Sequence, residues 1–310
     1  MSATIVIFGL GPVGRSIMEQ LTATGRAVTI AQRSKPADLP ALVSFVSCDA
    51  TDAEAVKRAT AGASAVICAI GLPYASAGWA RDWPKIMTNL LAGCEASSAR
   101  FVMVDNLYMY GPQTQPLTED MPLTNFGNKP RVRAEITRLW QEAHSQGRVR
   151  CVAVRASDFY GPGVGQSILG DTGLRAMAKG KTAMLLGSPD LPHDIAYVPD
   201  VARATITLLD APEDAYGQAW HVPCAPTQTL RQILQIGAEG LGVPLKLSMM
   251  PPMMFGLLSL FIPFIREFNE MRFQTNRPYH VDSRRFAKRF WDDATPFKVG
   301  VHLTLNSFKN

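Results

Sequence analysis

The sequence has no C-x-x-C pair and no His/Cys cluster at metal-ligand spacing. Its five cysteines, Cys48, Cys68, Cys94, Cys151 and Cys224, are dispersed and odd in number. They read as buried free thiols of a reducing compartment, with no disulfide framework and no metal site. Charge is scarce: 18% of residues, with 31 basic against 26 acidic giving a net +5. That balance permits an anionic ligand, but with no basic groove interleaved with aromatics it points away from nucleic acid. No basic leader precedes the apolar start of the chain, which reads as the first strand of a cytoplasmic protein. The most apolar stretch, 249–265, is uncharged but shorter than the ~20 residues a membrane span needs. Pro251, Pro252 and Pro263 confine any helix in it to about 253–262, so no stable span is expected. Repeats and low-complexity tracts are absent as well.

What is present is alternation. Short β-branched or apolar runs at 4–8, 27–31, 42–48, 64–70, 101–104 and 150–155 are separated by helical spacing at 16–24, 53–60, 83–96 and 131–145. Such alternation predicts βαβ units, hence an α/β fold with a doubly wound parallel sheet, a Rossmann domain. Past about residue 161 the rhythm breaks. The expected division is a dinucleotide-binding domain over 1–165, rejoined by a strand-into-helix segment at about 195–217, and a smaller mixed substrate domain from 166–194 and 218–310.

The first run leads straight into Gly9-Leu10-Gly11-Pro12-Val13-Gly14 and then a helix. Gly9 permits the tight turn, Gly11 lets backbone approach a pyrophosphate, and Gly14 allows close helix–strand packing. This context makes a dinucleotide the expected cofactor. The second strand ends Gln32-Arg33-Ser34-Lys35, without the acid that holds a ribose 2′-hydroxyl. Arg33, Ser34 and Lys35 suit a 2′-phosphate, so NADP is expected ahead of NAD; a solvated turn is the plainer account of Arg33. Asp49, with Ala50 beside it, follows the third strand, placed either to accept from an adenine amino group or to cap a helix, for which Asp52 is better suited. Ala69, Ile70 and Gly71 close the fourth strand beside the expected groove.

Motifs along nearly the whole chain resemble the extended short-chain dehydrogenases/reductases, the NAD-dependent epimerase/dehydratase group. Asp105-Asn106-Leu107-Tyr108-Met109-Tyr110-Gly111 is similar to that family's fifth-strand S-S-x-x-V-Y-G. Arg155-Ala156-Ser157-Asp158-Phe159-Tyr160-Gly161-Pro162-Gly163 resembles its R-x-x-N-x-Y-G-P-G, and Tyr197-Val198-Pro199-Asp200-Val201-Ala202 its V-x-D-V-A. The resemblance implies a small-molecule substrate and a homodimer paired through helices near 83–96 and 131–145. The chain departs where the family does its chemistry. The catalytic serine falls on Asn106, and the segment that should hold Y-x-x-x-K, 125–135, contains no tyrosine. Anchoring on the K-x-x-x-E that ends at Glu135 puts Arg131 at the lysine and Gly127 at the tyrosine; a one-residue slip puts Phe126 there. Arginine can still hold ribose hydroxyls, but neither glycine nor phenylalanine transfers a proton.

Tyr108 and Tyr110 flank the end of the fifth strand, where α/β sheets bind ligands. Tyr110 matches the family's structural tyrosine, which leaves Tyr108 as the candidate proton carrier; a packed ring is the alternative for both. Asn106 either orients a substrate or closes the loop by an Asx-type bond. On the substrate side, Asp158 is a cap or a contact, and His193 is either an acid/base or a loop histidine in water. Met254, within the apolar stretch, belongs to a core helix, an apolar substrate pocket or a partner surface. Three functions fit: an NADP-dependent oxidoreductase for a small, fairly apolar carbonyl compound, a nucleotide-sugar epimerase/dehydratase, and a non-catalytic dinucleotide sensor.

Overall fold

In a computed structural model, residues 4–250, 259 and 261–309 are described. The chain divides into two compact units: Met1–Met109, Leu123–Arg155 and Val201–Trp220 form one, and Tyr110–Pro122, Ala156–Asp200 and His221–Asn310 the other. The middle segment of the first unit ends at Arg155, and Tyr110–Pro122 go with the second unit.

The first unit is built on strands β1 (Thr4–Phe8), β2 (Val28–Gln32), β3 (Val43–Ser47), β4 (Ala63–Cys68), β5 (Arg100–Asp105) and β6 (Cys151–Arg155). With Ala219–His221 outside β6, they make a seven-stranded sheet in the order Ala219–His221, β6, β5, β4, β1, β2, β3. The ladders from β3 to β6 are parallel throughout. The strand order reverses beside β1, which makes this a doubly wound Rossmann sheet. Its strands are apolar on both sides. Val6, Phe8, Val66, Cys68, Phe101 and Met103 join one core, while Ile5, Ile7, Ile67 and Val102 are equally buried on the alternate positions. That is the pattern of a sheet covered on both faces.

Helices α1 (Pro12–Ala23), α2 (Ala53–Thr60), α3 (Ser76–Ser97) and α4 (Lys129–Ser145) connect these strands. α2 begins as the sequence indicates: Asp52 Oδ1 accepts from the amides of Glu54 and Ala55 at 3.0 and 3.1 Å. α3 starts seven residues earlier than expected and runs through Pro84. Trp79 and Trp83 are both buried, and their packing holds the first turns together despite the amide that Pro84 lacks.

The second unit is assembled from short pieces. Asp158–Tyr160 pairs in parallel with Ile195–Tyr197, Pro192–His193 antiparallel with Gln228–Thr229, and Ala183–Leu185 in parallel with Leu247–Met249. Helix Leu230–Leu241 opens with a capping box between Thr229 and Gln232 and packs against Phe297–Ser307. The core between these pieces includes Tyr160, Leu174, Ile195, Tyr197, Ile233, Leu234, Phe297 and Val301. Among the described residues, no helix is long and apolar enough to cross a membrane.

Candidate active site

The site of the first unit grows from the turn between β1 and α1. Gly9 has φ +94°, and a Cβ there would lie 2.8 Å from the Ala69 carbonyl oxygen and 3.0 Å from Ile70 Cα at the end of β4. A Cβ on Gly14 would meet the Gly9 carbonyl oxygen at 2.0 Å. Both glycines are therefore dictated by the protein itself. Gly11 is different. A Cβ there meets nothing within 4 Å, its backbone is extended, and no side chain caps α1, which starts with Pro12 and buried Val13. The space left bare over Gly11 is the cradle a pyrophosphate requires, so the residues fit a dinucleotide. Gly71 also has open space around it.

Gln32, at the end of β2, closes the turn: its Oε1 accepts from Leu10 N at 3.1 Å and its Nε2 donates to the Ser34 carbonyl at 2.8 Å. Arg33, Ser34 and Lys35 then project as an exposed, carboxylate-free run. Asp49 is not a cap. Its Oδ1 accepts from Thr51 N at 2.9 Å and Thr51 Oγ1 at 2.8 Å. Those bonds, and more weakly Arg33, hold its carboxyl below the ordinary range. Half-buried Ala50 accepts from Asn89 Nδ2 through its carbonyl.

The centre of the site lies where β4 and β5 end and α3 and α4 begin. Here the expected register is corrected. Arg131 is exposed and donates to Asn128 Oδ1 at 3.3 Å; Gly127 sits before the helix at φ +59°, and Phe126 is exposed. The inward pair at four-residue spacing is Lys129 and Arg133, 0% and 3% exposed. Residues four apart share a helix face, and Val132, Ile136 and Trp140 place this face against the sheet. That apolar stripe was the signal by which sequence reasoning could have found the pair, and anchoring on Glu135, which is exposed, missed it.

Arg133 Nε donates to Asp105 Oδ1 at 2.9 Å, and its Nη2 donates to the same oxygen. Its guanidinium lies over the Trp83 ring, 4.5 Å from the centroid, and near Trp79 at 5.9 Å. Lys129 Nζ donates to Ser76 Oγ at 3.0 Å and stands 4.6 Å from the Tyr74 ring centroid. Asn106 closes the loop: its side-chain oxygen accepts from Tyr108 N at 3.0 Å, the Asx-type bond. Tyr108 opens a 3-10 turn, and its ring stacks on Trp79 with centroids 6.1 Å apart. Ser76, Trp79 and Arg133, unnoticed in the sequence, are the groups that organise this cluster.

In the second unit, His193 is not a loop histidine in water. It is 2% exposed, on the short strand Pro192–His193, with Nε2 3.1 Å from Asp158 Oδ2 and its ring stacked on Tyr279. Pairing of Gln228 with His193 in the backbone ladder pulls it inward. Asp158 is half-buried. A second histidine, His221, is fully buried. Its Nδ1 faces the Asp282 carbonyl at 3.1 Å, which only accepts, so Nδ1 carries the proton and Nε2 accepts from Tyr110 O–H at 3.0 Å. Tyr110 is thus a buried structural tyrosine. Met254 lies outside the described residues.

A family model described as the NAD dependent epimerase/dehydratase family matches residues 5–222. No curated protein matches the sequence. Among solved structures, the UDP-glucose 4-epimerase of Thermus thermophilus, in complex with NAD, is similar at TM-score 0.76 and 18% identity, over 99% of each chain. The UDP-glucuronic acid 4-epimerase of Bacillus cereus, with UDP-glucuronic acid and NAD, is similar at TM-score 0.79 and 14% identity, again over 99% of each. The dTDP-glucose 4,6-dehydratase of Bacillus anthracis, with NAD, is similar at 0.79 and 14%, over 99% of this chain and 97% of that one. At these identities the likeness is one of fold.

Proposed function

The chain belongs to the NAD dependent epimerase/dehydratase family, and from that premise we propose that it is a nicotinamide-dinucleotide-dependent oxidoreductase that interconverts a carbonyl and an alcohol carbon of a small, fairly apolar substrate. The observation that carries the reading is the β1–α1 turn, where two glycines are fixed by contact with the chain and the third is left open. Gly9, Gly11, Pro12, Val13 and Gly14 would hold the pyrophosphate on the start of α1. Ala69, Ile70 and Gly71 would border the cofactor at the end of β4. Asp49 and Ala50 would border the adenine. The chemistry a nicotinamide supplies when bound is the gain or loss of a hydride.

NADP is the form we propose. Arg33, Ser34 and Lys35 offer two cations and a hydroxyl at the end of β2, where a 2′-hydroxyl would ask for a carboxylate. The solved structures similar in fold hold NAD, so the choice needs a direct test. Fluorescence titration with NADPH and with NADH, on wild type and Arg33→Ala, provides it. NADPH binding that weakens about tenfold or more in the variant, with NADH unaffected, supports the reading; NADH bound more tightly than NADPH assigns NAD, equal binding of both to both proteins removes the 2′-phosphate site, and no binding of either refutes the dinucleotide site. The apolar character of the substrate is supported by the aromatic surround of Tyr74, Trp79, Trp83 and Tyr108 and by the Met- and Phe-rich run 249–265.

A second reading, a nucleotide-sugar epimerase or dehydratase, is favoured by the fold likeness above. It requires a rise in melting temperature with UDP-glucose or dTDP-glucose. A protein that binds the cofactor, ignores both sugars and turns over no aldehyde, ketone or enone would be a dinucleotide sensor.

A further inference from the structure

We propose that Asp38 sets the affinity for NADP by anion exchange: its carboxylate holds Arg15 in the free protein, and Arg15 exchanges it for the 2′-phosphate of the cofactor. This rests on the NADP reading. It adds to Arg33 and Lys35 a third cation, and it names the resident anion that must leave.

The observations all lie within the first unit. Arg15 is in the first turn of α1, and its amide donates to the Gly11 carbonyl at 2.8 Å, so it stands one turn above the open cradle. Its Nη1 and Nη2 donate to Asp38 Oδ2 and Oδ1 at 3.0 and 3.2 Å. Two parallel bonds of this kind are also how a guanidinium grips a phosphate. Asp38 lies in a turn beyond the end of β2. The three-residue step from Lys35 to Asp38 spans at most about 11 Å, which keeps the pair beside Arg33, Ser34 and Lys35. Gln32 ties the same segments a second time, through Leu10 N and the Ser34 carbonyl. The glycine turn, α1 and the end of β2 therefore meet around one exposed spot.

Charge at that spot is unbalanced. Arg15, Arg33 and Lys35 are three cations, and Asp38 is engaged by the first of them. Among the described residues, no hydrogen bond or ion pair holds the side chain of Arg33 or Lys35. Asp49, whose carboxyl Arg33 also influences, accepts from Thr51. The Arg15 guanidinium holds the Asp38 carboxyl below its ordinary range, so it is ionised near neutral pH. Yet the pair is open to water, with side chains 37% and 68% exposed. Such pairs contribute little and are readily exchanged. A phosphate group brings close to two charges and three strong acceptor oxygens, against one charge and two oxygens for the carboxylate.

The other role for a carboxylate in this region is to accept from a ribose 2′-hydroxyl, as an NAD site requires. The geometry speaks against it for Asp38. Both its oxygens face Arg15, and Arg33 and Lys35 stand nearer the strand end. With NAD the Arg15–Asp38 pair stays closed; with NADP it opens.

Calorimetric titration of the full chain with 2′,5′-ADP and with 5′-AMP, which differ by the 2′-phosphate alone, tests the exchange without substrate or turnover. Wild type should bind 2′,5′-ADP at least about tenfold more tightly than 5′-AMP. Asp38→Asn should tighten 2′,5′-ADP by about threefold or more, by freeing Arg15 and removing a like charge, and leave 5′-AMP unchanged. Arg15→Met should weaken 2′,5′-ADP by about fivefold or more. In the Arg15→Met background, Asp38→Asn should lose most of its effect. Because the pair is exposed, the variants should melt close to wild type. If Asp38→Asn leaves 2′,5′-ADP unchanged or weakens it while wild type still prefers it to 5′-AMP, the exchange is overturned and the NADP reading stands. A gain that persists in full in Arg15→Met assigns the effect to distant repulsion and also overturns the exchange. Wild type that does not tell the two nucleotides apart refutes the NADP reading, and the proposal with it; NADH binding weakened by Asp38→Asn would then make Asp38 the carboxylate of an NAD site.

Discussion

At the polar centre of the first unit a carboxylate and a guanidinium are buried as a matched pair. Asp105 and Arg133 have almost no contact with water, and the arginine is sandwiched against Trp83. In the second unit several polar groups that can be neutral lie inside, His221 on Tyr110, His193 on half-buried Asp158, half-buried Glu119 on the His221 amide, and the Tyr160 phenol, beside two buried aspartates, Asp194 and Asp200, that accept hydrogen bonds from Thr227, Val281 N and Thr295. A buried permanent charge must keep its partner, because removing one leaves the other stranded. A buried neutral group pays only for a missing hydrogen bond. The first unit should therefore be intolerant of single changes at the Asp105–Arg133 pair, and the second forgiving at the groups that can be neutral.

Arg133→Met gives the sharpest contrast. It strands Asp105, whose Oδ2 already lacks a hydrogen-bond partner among the described residues. The expected loss is about 3–5 kcal/mol, seen as a fall in the urea midpoint. Adding Asp105→Asn should recover a large part of it, since the stranded charge is then gone. A loss under about 1 kcal/mol for the single variant would show that the pair is hydrated and would erase the distinction between the units.

Tyr160→Phe should move the other way. The Tyr160 hydroxyl is buried among Tyr197 and Phe297, has no partner among the described residues, and leaves so little room that a Cβ on Gly300 would lie 2.3 Å from it. Burial pushes its phenol far above the ordinary range, so the group is a neutral, unsatisfied donor. Removing it should raise stability by about 1 kcal/mol. Destabilisation of that size would mean that the hydroxyl has found water. Asp158→Asn comes next. The amide still meets His193 Nε2 at the same spacing, and with one face of Asp158 open to solvent the cost should be about 1 kcal/mol or less in a thermal melt.

The same contrast governs how much the sequence tells. The β/α alternation of the first unit is legible because both the strands and the helices bury periodic apolar faces, and the glycine turn is legible because three positions tolerate nothing larger or need open space. The helical spacing over 53–60 coincides with α2, and Asp52 is its cap. The polar centre was hidden because its register depends on which face of α4 turns inward. Glu135 and Arg131 fit a motif, but Val132, Ile136 and Trp140 decide the face and select Lys129 and Arg133. In the second unit, strands of two or three residues carry no period at all. His193 is drawn inside by pairing with Gln228, a contact 35 residues away that no local pattern announces.

Glu119 tests the contrast most gently, through pH. Burial raises its carboxyl above the ordinary 4.5, against the opposing pull of the His221 amide and Arg285. The fold thus favours the protonated form. Its contribution to stability is fully present below about pH 4.5 and is lost as pH rises through the raised folded value. Asp49 and Asp282 run oppositely: their carboxyls are lowered, by the Thr51 bonds and by Arg284 respectively, so their contributions are present above 3.8 and fade as pH falls. Glu119→Gln keeps an oxygen to accept from His221 N at the present 3.0 Å and removes the charge. It should make the protein slightly more stable at pH 7 and flatten the decline of stability from pH 4.5 upward, while leaving the acid limb set by the aspartates unchanged. Melting temperatures of wild type and variant from pH 4 to 8 decide it. Parallel curves would mean that Glu119 is solvated, and that the second unit buries less titratable charge than its geometry implies.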